Sequence, residues 1–298
     1  ANFFSYFYPM IPHTTQITGI TGFMGQNLSP YLGAHVVGVN LRNQQPLVFE
    51  KGAAVVHLAG KAHDLKKTSA PLEYFDVNTE LTKKVFDAFL ASEAQVFVFM
   101  STVKALEGEV IGASAYSQSK YQAEEYILAQ KVPPGKRVYI LRPVMVHGPG
   151  NKGNLNLLFG VVKRLGIWPL AAFENKRSFV SVENLCFVVK ALIENEKVVS
   201  GVYEVADEEA LSTNQLVALA GEALQKKVAF WKIPKGLVFL LAKLGDVLPL
   251  PLNSERLEKL TENAVVDASP LLKALGIKSL PLRTLEGFKK TFDSFVNE

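Results

Sequence analysis

Through the first two-thirds of the chain, short apolar runs alternate with longer stretches whose apolar residues recur every three or four positions. His35–Val39 (HVVGV), Ala53–Leu58 (AAVVHL), Val96–Met100 (VFVFM) and Val138–Leu141 (VYIL) read as strands, since a strand buried on both faces is apolar without alternation. Tyr74–Leu90 and Tyr116–Gln130 carry the spacing of amphipathic helices. Strand and helix in alternation predict right-handed βαβ crossovers and a doubly wound parallel sheet. The Gly/Pro/Asn-rich stretch His147–Asn154 (HGPGNKGN) marks a break where a second, smaller lobe is expected to begin. Gly201–Ala206 (GVYEVA) reads as a strand returning to the first sheet. The expected division is therefore 1–150 with 180–206 for the first lobe, and mainly 151–298 for the second.

The 298 residues are 48% hydrophobic, ample for a large core. A net charge of +4, from 32 basic and 28 acidic residues spread along the chain, is too mild for a nucleic-acid partner. It is enough for a few placed arginines to hold a diphosphate. The single cysteine, Cys186, excludes an intramolecular disulfide and fits a reducing, cytoplasmic compartment; in LCFVV it reads as a buried thiol. The longest apolar stretch, Gly236–Leu250, is interrupted by Lys243 and Asp246 and falls short of the ~20 residues of a bilayer span. It reads as a core or interface helix, and no membrane partner is expected. The aromatic opening Ala1–Pro12 shows neither the basic start nor the small-residue cleavage site of a secretory signal.

Gly19, Gly22 and Gly25, in TGITGFMG, stand between a polar candidate strand (TTQIT) and the helical start QNLSPYL. Glycine there lets backbone approach a pyrophosphate, and the helix N-terminus adds free N–H groups and partial positive charge; a packing turn would use the same residues. Tyr116 and Lys120, in YSQSK, fall one turn apart on one helix face. An ammonium so placed favours the phenolate and suits the phenol to acid or base work near neutral pH, although an ordinary exposed pair has the same spacing. Context favours chemistry, because the strand ending Met100-Ser101-Thr102 puts a hydroxyl at the carboxyl edge of the sheet, where α/β proteins hold ligands. His57, His63 and Asp64 offer no third ligand at sensible spacing, so no metal is expected.

With these motifs in this order, the chain from about Ile17 onward resembles the extended short-chain dehydrogenase/reductase family, in particular its NAD-dependent epimerase/dehydratase branch acting on sugar nucleotides. The motifs are TGxxGxxG, HLAG at 57–60, Asn78, Ser101-Thr102, Tyr116/Lys120, LRPVMVHGPG, NKRSFVSVENL from Asn175 and VVDASPLLKALGI from Val265. The resemblance implies an α/β, Rossmann-type doubly wound parallel sheet with a smaller C-terminal substrate-binding lobe. It implies that Thr102 hydrogen-bonds the reacting oxygen, that Tyr116 is the acid/base, and that Lys120 lowers the Tyr pKa and holds the nicotinamide ribose. Gly19, Gly22 and Gly25 match the pyrophosphate loop, with Phe23 and Met24 offering N–H groups; Leu58, Ala59 and Gly60 match the strand end beneath the cofactor; Pro143 and Val146 lie beside the nicotinamide. Asn154 and Leu155 resemble the segment that meets the sugar nucleotide, and Arg177 and Arg256 the guanidinium pair that clamps its diphosphate. The implied substrate is a UDP-hexose or UDP-N-acetylhexosamine reacting at carbon 4, as in polysaccharide synthesis. The two helices match the pair through which relatives form a homodimer.

Three departures qualify this picture. Where the family often has an acid for the adenosine ribose, the chain reads Asn40-Leu41-Arg42; Arg42 can meet a 2′-phosphate and leans the choice between NAD and NADP to NADP, while Asn40 can still accept a ribose hydroxyl. Ala53-Ala54 replaces a frequent Asp, so no adenine contact is assigned. The loop 103–115 looks short, implying either a more open substrate site or residues absent from the chain. Thr102 is followed by Val103-Lys104 rather than the Asp-Glu of the family's dehydratases. That leaves an epimerase, with a 4-ketoreductase as the alternative. A non-catalytic cofactor-binding regulator is a third reading, weighed against by the presence of both Tyr116 and Lys120. His147 stands near the expected nicotinamide, as a substrate contact or a structural histidine.

Overall fold

The computed structural model describes residues 14–42, 46–61, 70–151, 153–248 and 252–297. The aromatic opening, His63, Asp64 and the end of the apolar stretch at Pro249–Leu250 lie outside them. Through Val144 the chain runs β1 (Thr15–Thr18), α1 (Phe23–Leu32), β2 (Val36–Val39), β3 (Ala54–His57), α2 (Pro71–Tyr74), a π-helical turn (Phe75–Glu80), α3 (Leu81–Ala91), β4 (Val96–Met100), a 3-10 turn (Val103–Glu107), α4 (Ala115–Ala129) and β5 (Arg137–Pro143). It continues with β6 (Met145–His147), α5 (Asn154–Leu165), β7 (Ile167–Trp168), β8 (Phe179–Ser181), α6 (Val182–Glu194), β9 (Gly201–Val205) and α7 (Thr213–Ala223). The last elements are β10 (Ala229–Phe230), α8 (Lys235–Val247), α9 (Ser254–Thr261), α10 (Ser269–Leu275) and α11 (Thr284–Val296).

One compact unit takes the chain up to Val144, Val182–Val205 and Ala268–Pro281. Its sheet has the order β2-β1-β3-β4-β5-β9 with every neighbouring pair parallel, so the strand expected at 201–206 does return to it. This is the expected Rossmann-type α/β architecture. Strand order reverses at β1, which places the ligand-binding crevice of such a sheet at the carboxyl ends of β1 and β3. Alternate residues of the central strands, Val55, Phe97, Phe99, Val138 and Ile140, form one core with Val85, Phe86 and Phe89 of α3 and Ala123 and Ile127 of α4. Cys186 is buried, as its apolar surroundings predict.

The polarity of TTQIT is reconciled by hydrogen bonding. The Gln16 side chain accepts from the Glu50 N–H at 2.8 Å, and the Thr18 hydroxyl meets His57 Nδ1 at 2.7 Å. The β2–β3 crossover has no helix among its described residues; buried Phe49, with Leu41 and Leu47 packed near it, fills that part of the core. The helix expected at Tyr74–Leu90 starts earlier, at Pro71, and contains the π turn.

The second unit comprises Met145–Ser181, Ala206–Asp267 and Leu282–Glu298, so 268–281, which the sequence pattern left with the second lobe, counts with the first. Its core joins Leu155, Phe159 and Val162 of α5, Phe179 of β8, Val217 of α7 and Phe288, Phe292 and Phe295 of α11. Of the two readings of the stretch from Gly236, core helix or interface helix, its described part does not fit the first. Only Val238 and Ala242 of α8 are buried, and its other apolar side chains face solvent.

Candidate active site

The carboxyl end of β1 enters a turn in which Gly19 has φ +70°, and a Cβ there would lie 2.6 Å from the Ala59 nitrogen. The backbone of Gly19 thus packs directly on the strand end that follows β3. At Gly25 a Cβ would come within 2.4 Å of the Ile20 carbonyl oxygen, so α1 closes onto the turn only without a side chain. Gly22 is the N-cap of α1, with no side-chain cap and no acid in the first turn, leaving the N–H groups of Phe23 and Met24 at an unblocked helix N-terminus. This cradle fits the pyrophosphate of a dinucleotide: close backbone, free donors and no competing carboxylate.

Thr102 leaves β4 in extended conformation, and Tyr116 and Lys120 lie on the first two turns of α4, started by Ser114 accepting from the Ser117 N–H. Of the three side chains, Tyr116 and Thr102 meet, while Lys120 turns to the ends of β4 and β3. Tyr116 hydrogen-bonds the Thr102 hydroxyl, and its ring meets Tyr74 edge-on at 6.3 Å. Lys120 is buried; its Nζ donates to the Met100 carbonyl at 2.8 Å and lies 4.7 Å from the Phe99 ring centroid. A Cβ on Gly60 would sit 3.3 Å from that nitrogen, so the ammonium reaches the strand end expected beneath a cofactor.

The electrostatics differ from the simple expectation. Burial pushes the Tyr116 phenol up, partly offset by the Thr102 hydrogen bond, and Tyr74 adds to the rise. Burial lowers Lys120 to about 8, with Glu124 acting against it. Burial, rather than the ammonium, is the dominant influence on the phenol here.

Of the groups that hold this cluster, the sequence reading marked Asn78 and Ser101 but assigned nothing to Glu124 or Arg142. Glu124, one turn beyond Lys120 and buried, takes a two-pronged ion pair from Arg142 of β5 (Nε to Oε2 2.9 Å) and a hydrogen bond from Ser101. The signal was the i, i+4, i+8 spacing of Tyr116, Lys120 and Glu124. Asn78, buried in the π turn, accepts from the Lys61 N–H at 2.7 Å and donates to the Lys61 carbonyl at 3.1 Å and to Ser119 at 3.0 Å, which ties the strand end after β3 to α4. Both nitrogens of His57 are occupied, by Thr18 at 2.7 Å and Thr82 at 2.9 Å, and burial lowers its pKa to about 3. It is a neutral structural histidine. Among the described residues no group of three or more His, Cys, Asp and Glu could hold a metal ion.

Arg42 is exposed just beyond β2, and its N–H bonds the Asn40 side-chain oxygen at 2.9 Å; Asn40 therefore spends one acceptor site on a local turn. Pro143 is buried at the end of β5. In the second unit, Val146 is half-buried on β6 and Asn154 is exposed at the start of α5. Leu155 packs its side chain in the core, which leaves only its backbone to meet a ligand. Arg177 donates to the Lys259 carbonyl at the end of α9 and lies 3.9 Å from Glu262, while Arg256 is exposed in the first turn of that helix. His147 is fully buried: its Nδ1 meets Thr291 at 2.9 Å and its ring stacks on Phe288 at 3.9 Å. Of the two readings that the sequence left open for it, the structural one fits.

Comparison with known proteins gives the family and the fold. The family model for the NAD dependent epimerase/dehydratase family matches residues 16–206. The chain is 30% identical to a UDP-glucose 4-epimerase of Vibrio cholerae over 96% of both chains. It is 28% identical to an N-acetyl-α-D-glucosaminyl-diphospho-ditrans,octacis-undecaprenol 4-epimerase of Escherichia coli O157:H7, over 65% of this chain and 61% of that one. Among solved structures, a UDP-N-acetylglucosamine 4-epimerase from Methanobrevibacter ruminantium M1 in complex with UDP-N-acetylmuramic acid superposes with TM-score 0.73, covering 96% of this chain and 98% of that chain at 17% identity.

Proposed function

Because this chain belongs to the NAD-dependent epimerase/dehydratase family, we propose that it inverts carbon 4 of a UDP-hexose or UDP-N-acetylhexosamine. The observation that carries the reading is the bond between Tyr116 and Thr102 at the sheet edge, with Lys120, one turn further along the same helix, reaching Gly60. In this reading Gly19, Gly22, Gly25 and the Phe23 and Met24 N–H groups hold the cofactor pyrophosphate. Leu58, Ala59, Gly60, Pro143 and Val146 border the cofactor further along. Bound there, a nicotinamide dinucleotide supplies the acceptor, and then the donor, of a hydride.

Tyr116 takes the proton of the sugar 4-hydroxyl as the carbon is oxidised, and returns it after the 4-ketone has turned over. Thr102 orients the reacting oxygen, and Lys120, kept cationic below about pH 8, favours the phenolate form of Tyr116 that accepts this proton. Asn154 and the Leu155 backbone meet the sugar nucleotide, and Arg177 and Arg256 hold its diphosphate. The enzyme acts as a homodimer through the outer faces of Pro71–Ala91 and α4.

A second reading, reduction of a UDP-4-keto-sugar, draws on Arg42, whose guanidinium suits a 2′-phosphate and hence a cofactor replaced at each turnover. Mass spectrometry of cofactor carried through purification, together with turnover followed by NMR, separates the two. The epimerase reading predicts retained dinucleotide and interconversion of UDP-glucose with UDP-galactose, or of their N-acetyl counterparts, with no added reductant. Absence of turnover unless NADPH is supplied and consumed would replace it with the reductase.

A further inference from the structure

Helix α8 stands out from the second unit as a ridge. One narrow row, Val238, Ala242 and half-buried Gly245, faces the protein. Around it Leu237, Leu240, Leu241, Leu244, Val247 and Leu248 are between 42% and 85% exposed, and all follow helical spacing along a single stripe. Phe230 and Trp231, just ahead of the helix, are exposed as well. So much contiguous apolar surface on one element marks a binding face rather than scattered exposure.

The charges around the ridge select its occupant. From Lys226 to Val247 the sequence has the lysines 226, 227, 232, 235 and 243 against one acid, Asp246. That acid is engaged with α9, accepting from the Ser254 N–H at 2.9 Å and the Ser254 hydroxyl at 2.6 Å. On α9 itself, Glu255 and Glu258 are balanced by Arg256 and Lys259. A second copy of the chain docked ridge to ridge would set lysine against lysine. Lys226 donates to the Lys163 carbonyl at 3.0 Å and Lys235 lies 5.6 Å from the Phe173 ring centroid, neither of which offsets their charge. An anionic surface does so while leucine, phenylalanine and tryptophan enter an apolar layer, the pattern of a helix lying in a membrane interface. No helix among the described residues is long and apolar enough to cross a membrane, so the mode is docking and not insertion.

We propose that the α8 ridge, with Trp231 and its flanking lysines, docks this enzyme on an anionic lipid bilayer. This develops the interface reading of the stretch and replaces the expectation of no membrane partner, and it stands independently of the catalytic reading.

The test uses the full chain with vesicles of phosphatidylcholine and phosphatidylglycerol in equal parts, and with phosphatidylcholine alone. Of the two tryptophans, Trp168 is buried, so a shift in emission on contact with vesicles reports Trp231. Expected are co-sedimentation with the anionic vesicles, a blue shift of that emission, and weakening as salt is raised. Leu240→Gln with Leu244→Gln should lower vesicle affinity about tenfold or more, and Lys232→Glu with Lys235→Glu and Lys243→Glu should remove the preference for anionic lipid. All five positions are exposed, so circular dichroism and turnover should match the wild type. Absence of sedimentation and of any emission shift would overturn the proposal. So would a dimer, seen by light scattering, that the leucine pair converts to monomer, since the ridge would then be covered by a second copy.

Discussion

The carboxyl edge of the sheet and the arginine-bearing face of the second unit were both marked by motif, yet they differ in how the side chains are committed. At the sheet edge each marked group meets another: Tyr116 bonds Thr102, Lys120 lies against Gly60, and Gly19 packs on Ala59. In the second unit, Arg177 is bonded to the Lys259 carbonyl, Leu155 is in the core and Arg256 is exposed. Chemistry that requires contact between protein groups is built into the fold, whereas groups that wait for a substrate are held by whatever carbonyl or carboxylate lies nearby. The sheet edge should therefore respond to mutation in catalysis, and the arginines in binding.

The sharpest way to break that contrast is Tyr116→Phe, which removes the ionisable oxygen and leaves the ring. Turnover should fall by at least about 10²–10⁴-fold while cofactor affinity stays near wild type. Steady-state rates with a fluorescence titration of cofactor check it, and wild-type-like turnover at any pH would exclude Tyr116 from the mechanism.

A second effect comes from the depressed pKa of Lys120, about 8 in the folded protein against 10.5 as the ordinary value. Between these values the unfolded chain binds the additional proton, so this group makes folding more favourable as pH rises through that window, by at most about 3 kcal/mol. Denaturant titrations from pH 7.5 to 10.5 should show wild type gaining stability relative to Lys120→Met as pH rises. A flat difference would mean that Lys120 is not held in a desolvated site.

Smallest is Arg177→Ala, expected to weaken UDP binding by about 1.5–3 kcal/mol, the worth of a charge-assisted bidentate contact, with little change in cofactor affinity. Calorimetry showing unchanged UDP affinity would assign this arginine wholly to its bonds with the end of α9.

The same contrast accounts for what could be read from the chain. Strands buried on both faces announce themselves by composition, and Val96–Met100 forms at the residues its pattern marks. Tyr116 and Lys120 were legible because one helical turn fixes their distance. Glu124 shares their face, but its role was not legible, because its partner Arg142 lies on β5 and an ion pair between α4 and β5 has no local spacing to betray it. The polar β1 looked doubtful only because the partners of Gln16 and Thr18, Glu50 and His57, are 34 and 39 residues away. His147 was left open between two readings for the same reason: its stacking on Phe288 and its bond to Thr291 join distant parts of the sequence. Hydropathy also cannot separate a buried apolar helix from an exposed one, and α8 is exposed.

The central claim is that hydride leaves carbon 4 and returns to the same carbon within one binding event, with Tyr116 moving the proton. Its most direct test is incubation of UDP-glucose, and separately UDP-N-acetylglucosamine, deuterated at carbon 4, without added cofactor, with products read by NMR. The account predicts the 4-epimer of one or both with deuterium retained at carbon 4, and no product from Tyr116→Phe. Product with protium at carbon 4, or product formed only as NADPH is consumed, would contradict it.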